Sequence, residues 1–121
     1  MNESDIGKKT EPTTVYKDER FVLGIEGGAV CLKAGDNKYV LSCHPFEPCL
    51  YITPENGVKT YVRNAFDPDV VANIFDKGGT VTSITGRVYG PRDFCVMVEY
   101  AATLGGADID DAEAVFGDGG R

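Results

Sequence analysis

Residues 80–104 read TVTSITGRVYGPRDFCVMVEYAATL, and how they fold decides the architecture of the chain. The first half alternates with the period of a strand. Val81, Ser83, Thr85, Arg87 and Tyr89 fall on one face, and Thr82, Ile84, Gly86 and Val88 on the other. Gly90-Pro91 closes that strand, and proline suits the first helical position, where a missing N–H costs nothing. Asp93 then lies in the first turn, where the helix dipole favours negative charge. Phe94, Met97, Val98, Ala101 and Ala102 recur at helical spacing, with Cys95 beside them. The expectation is a strand that delivers an amphipathic core helix onto a sheet.

The sheet should come from what precedes. A short edge strand is expected over Thr14–Arg20, followed by strands at Phe21–Glu26, Ala29–Ala34, Lys38–Cys43, Cys49–Thr53 and Val58–Asn64. Gly27-Gly28 between the first two of the longer strands has the composition of a two-residue hairpin turn. Pro54-Glu55-Asn56-Gly57 is the clearest turn in the chain. Pro45 and Pro48 turn CHPFEPC, residues 43–49, into a loop or bulged corner. After the strands, Asp67-Pro68 starts a short helix with Val70, Val71, Ile74 and Phe75 on its apolar edge, stopped by Lys77-Gly78-Gly79. Asp108 is placed to cap a last helix lined by Ile109, Ala112, Val115 and Phe116. The fold class is therefore α+β: an antiparallel meander of about five or six strands with two or three helices on one face. Residues 1–13 form a polar lead-in, 14–117 one domain and 118–121 a tail.

With 121 residues and 42% hydrophobic content, the chain can close one core without disulfides or metal. No apolar run approaches the ~20 residues of a membrane span, and the start lacks the apolar core of a signal peptide, so a cytoplasmic location is expected. The net charge of −7 is uneven: −1 over residues 1–20, −2 over 21–104 and −4 over 105–121. No basic run is present, so direct nucleic-acid binding is not expected. An acidic surface keeps a protein soluble and can steer a basic partner.

Three groups of residues carry chemistry. Cys43, His44 and Cys49 are all zinc-ligand types, but five residues separate the thiols where close ligand pairs are usually two to four apart. Buried small side chains at a proline corner are the commoner reading, and no metal or cofactor is expected. His44 is the sole histidine, and no Gly-x-Ser-x-Gly, His-Glu-x-x-His or phosphate-loop motif occurs, which argues against an enzyme. The second group is the strand–helix junction. Arg87, Tyr89 and Arg92, joined by Arg63 if the strands neighbour, could hold a small anionic ligand or nucleotide at a helix N-terminus. The third is the tail, where Asp108, Asp110, Asp111 and Glu113 would steer a partner and Phe116 anchor it. The primary expectation is a non-enzymatic binding or regulatory protein acting through protein contacts, as an acidic inhibitor of a basic, nucleic-acid-handling partner. An anionic-ligand module at the junction is the alternative, and a Cys/His metal or thiol site the second alternative. A homo-oligomer is compatible with either.

Overall fold

A computed structural model describes residues 12–43 and 45–113 of the chain. Most of the lead-in, His44, Phe116 and the 118–121 tail lie outside the described residues. Six strands follow one another as a meander: β1 (Thr13–Lys17), β2 (Phe21–Glu26), β3 (Ala29–Ala34), β4 (Asn37–Cys43), β5 (Cys49–Pro54) and β6 (Thr60–Arg63). Each is antiparallel to the next. The sheet gains a seventh member beside β6, where β9 (Ala107–Asp108) pairs in parallel.

Alternation along these strands sorts side chains between two faces. Ile25, Val30, Leu41, Ile52 and Thr60 stand in one row across β2 to β6, and Leu23, Leu32 and Tyr39 in the next. These residues face a helix layer, and all but Ile25 are buried. Helix α1 (Pro68–Asp76) lies against β1, β3 and β4, and α2 (Pro91–Leu104) against β2, β5 and β6. Phe94, Cys95, Met97, Val98 and Ala101 are wholly buried, so the apolar stripe legible in the sequence is the core face of α2. The aromatic contact of Phe75 with Phe94, at 5.9 Å between centroids, joins the two helices. Residues 109–113 are again helical, with Ile109 and Ala112 buried.

One expected element takes a different form. Residues 81–89 are not a continuous strand but a small hairpin of β7 (Val81–Thr82) and β8 (Val88–Tyr89), apart from the main sheet. Gly86 adopts φ +92, a conformation that other residues rarely take. It lets the chain reverse, with the Ser83 amide donating to the Arg87 carbonyl and the Gly86 amide to the Ser83 carbonyl. A strand reading conceals such a turn, because the hairpin pairs residues of the same parity, Val81 with Tyr89 and Thr82 with Val88.

The β1 edge depends on a close approach. A Cβ on Gly24 would meet the Thr13 carbonyl oxygen at 2.4 Å, beside the irregular register between Thr14 and Tyr16. Gly24→Ala is expected to release β1 while the core remains folded. The measurement is amide hydrogen exchange, which should accelerate at Tyr16 and Lys17 and stay slow at Leu32 and Leu41.

Candidate functional site

The junction that opens α2 is assembled by two carboxylates. Asp93 accepts the Gly90 amide at 3.0 Å, and Pro91 has no amide to offer. An anion at this helix start therefore meets a carboxylate already in place. Arg92 turns away toward the β1–β2 turn, where it pairs with Asp18 at 2.5 Å and lies over the Phe21 ring. Asp18 also accepts the Tyr16 hydroxyl at 2.5 Å and the Arg20 and Phe21 amides at 2.8 Å each. The Tyr16 hydrogen bond, then the amides and Arg92, hold the Asp18 carboxyl well below the usual carboxylate range. Arg20 completes the clasp through an ion pair with Glu99 of α2.

Tyr89 is fully buried, with its ring edge-on to Phe66 at 5.1 Å. Its hydroxyl donates to Glu113 at 2.5 Å. Burial first, and then this bond, push the phenol well above its ordinary range. Arg87 is half-buried in the hairpin, while Arg63 stands on β6 over the Tyr61 ring and 3.9 Å from Asp108. The Arg63, Tyr89 and Arg92 side chains are thus engaged at three separate places.

The acids of the tail also divide. Asp110 and Asp111 are exposed on the last helical segment. Asp108 belongs to β9 and accepts from the Asn64 side-chain amide at 3.1 and 3.3 Å. Glu113 points inward, only 9% exposed. It accepts from Ser83 Oγ at 2.9 Å and Thr85 Oγ1 at 2.6 Å in addition to Tyr89. A buried carboxylate with three hydroxyl donors fastens the last helical segment to the β7–β8 hairpin. The signal available in the sequence was the hydroxyl run Ser83, Thr85 and Tyr89 on one parity, which needs a shared acceptor when buried.

That hairpin forms one wall of a cleft of about 400 Å³, with α1 as the other. Phe66, Val70, Val71, Ile74 and Val81 line it, and Asp67 stands at its lip. Asp67 also caps α1 by accepting the Asp69 amide at 2.9 Å. Val70 is 52% exposed, and Val88, paired with Thr82 of the cleft wall, 57%. Sequence reading assigned Val70 to the core edge of its helix and so missed this surface.

Cys43 and Cys49 lie on opposite sides of the sheet. Cys43 pairs with the inward Leu50, whereas Cys49 pairs with the outward Arg63. All four thiols are free, and burial raises each pKa, that of Cys95 to about 12. Thiols in that condition are poor nucleophiles and ligands. Among the described residues no three histidine, cysteine or acidic side chains come together as a metal-binding group. None of their helices is long and apolar enough to cross a membrane. Comparisons with protein-family models, curated proteins and solved structures gave no match.

Two stability measurements test this assembly. Glu113→Ala leaves three hydroxyls without their acceptor and should cost about 1–3 kcal/mol in chemical unfolding, with Tyr89→Phe costing about 1 kcal/mol. Asp18→Asn should lower Tm at neutral pH. Because folding depresses the Asp18 pKa, its contribution is complete above the ordinary value of 3.8 and fades as pH falls below it. The Tm difference between wild type and Asp18→Asn should therefore close on acidification below that value.

Proposed function

We propose that this is a non-enzymatic binding protein whose α1–hairpin cleft receives an apolar segment of a basic protein partner. The supporting observation is the solvent-facing cleft itself. Apolar surface open to water is costly to maintain, and a contiguous patch of it commonly marks an interaction site. The lining is mostly hydrocarbon and aromatic, with Thr80 and Thr82 adding hydroxyls on the hairpin side. Acids outnumber bases around it: Asp67 is at the lip, Asp69 and Asp76 are exposed on α1, and Asp110 and Asp111 are exposed on the last helical segment, against Lys77 at the end of α1 and Arg87 in the hairpin. Such carboxylates favour lysine and arginine flanking an apolar anchor, and they accelerate encounter with a basic surface. The clasp at Glu113 keeps the hairpin wall in position before the partner arrives, which lowers the ordering cost of binding.

A lysine-flanked amphipathic peptide titrated into the labelled protein tests this reading. Chemical-shift changes should concentrate at Val70, Ile74 and Val81. Val70→Asp should abolish them, whereas Leu104→Asp, on the exposed end of α2, should not. The double variant Asp110→Lys with Asp111→Lys should weaken binding at low salt and leave the fold unchanged. Shifts that survive Val70→Asp would reject the cleft as the binding site.

A further inference from the structure

The last described residues lead back to the α1–hairpin cleft. The chain leaves the sheet edge at β9 and runs to the hairpin, where Glu113 accepts from Ser83, Thr85 and Tyr89. Tyr89 in turn adjoins the cleft. Its ring packs edge-on against Phe66, and its backbone pairs with Val81, both of them lining residues. A single residue, Tyr89, thus bridges Glu113 and the cleft lining.

The sequence after Glu113 reads AVFGDGGR, residues 114–121. Ile109, Ala112 and Glu113 are the buried positions of the last helical segment, and Phe116 falls next at the same three-and-four spacing. Three residues of chain span up to roughly 10 Å, enough to carry an aromatic ring past Tyr89. The segment also has the chemistry that the cleft selects. Val115 and Phe116 supply an apolar anchor for Val70, Val71 and Ile74, and Arg121 supplies a base for the carboxylates of Asp67 and Asp69. With Asp118 as its one acid the segment is neutral, whereas the four acids at 108–113 have no base among them.

We infer that residues 114–121 occupy this cleft when no partner is bound, with Phe116 seated between Val70 and Val81, so that the chain masks its own binding site. This masking presupposes the proposed partner site and adds its regulation. An external partner must displace a tethered competitor whose effective concentration is on the order of millimolar. The partner's apparent affinity is then lowered in proportion to the fraction of molecules whose cleft is covered. A second copy could deliver the same segment only at the protein's own concentration, which favours the intramolecular contact in dilute solution.

Nuclear Overhauser effects in the 121-residue chain, labelled at phenylalanine rings and at valine and isoleucine methyls, test the contact directly. Cross-peaks from the Phe116 ring to the methyls of Val70, Ile74 and Val81 are expected, and they should survive dilution by about tenfold. Phe116→Ser should shift those methyl signals and tighten binding of the lysine-flanked amphipathic peptide about threefold or more. In a Val70→Asp background the same substitution should leave the Ile74 and Val81 signals where they are. Missing cross-peaks would overturn the inference, as would cross-peaks that fade on dilution, which would pass the segment to a second copy. Equal peptide affinity for wild type and Phe116→Ser would also overturn it while leaving the partner role of the cleft intact. If the peptide binds neither chain, the partner reading fails, and the cross-peaks by themselves decide whether the cleft is covered.

Discussion

A single sheet covered by helices on one side imposes the central constraint on this molecule. The period-two alternation of its strands must send apolar side chains toward α1 and α2 and leave the remainder facing water. The row from Ile25 through Val30, Leu41 and Ile52 meets this demand on the covered side. The opposite rows carry lysines, tyrosines and hydroxyls, so one folding requirement creates two surfaces of unlike chemistry. Burial of Phe94, Met97 and Val98 then fixes where α2 sits, and the Asp18 clasp fixes its first turn against β2.

Polar groups inside the helix layer are spent on assembly. Asp93 occupies the helix start, Asp18 gathers a tyrosine, two amides and Arg92, and Glu113 gathers three hydroxyls. Groups so fully engaged resist both ligand exchange and proton transfer, because removing one partner leaves the others desolvated and unpaired. Among the described residues, side chains left at the surface include Val70 beside the α1–hairpin cleft and Lys17, Lys33 and Lys59 on the outward side of the sheet.

Much of the fold was legible in residue order. Gly27-Gly28, the turn at residues 54–57 and the strand periodicities between them placed β2 to β6 within a few residues. Pro91 and the Phe94–Ala102 spacing placed α2. The reading faltered where local signals were degenerate. Thr82, Ser83, Ile84 and Thr85 alternate as a strand would, and only the left-handed Gly86 reveals the reversal. Glu113 looked like one more surface acid among Asp108, Asp110 and Asp111, because its three donors lie 24 to 30 positions earlier.

Sequence alone determined the α+β class, the meander and the core helix, since each follows from periodicity and turn chemistry within a dozen or so neighbouring residues. Tertiary structure alone decided which charges share a surface. Counting along the chain shows an acidic protein, yet strand register brings Lys17, Lys33 and Lys38 into one row and sets Tyr51 against Tyr61. Hydrogen-bonded pairing makes neighbours of residues distant in sequence, and electrostatic and stacking forces act through those distances in space.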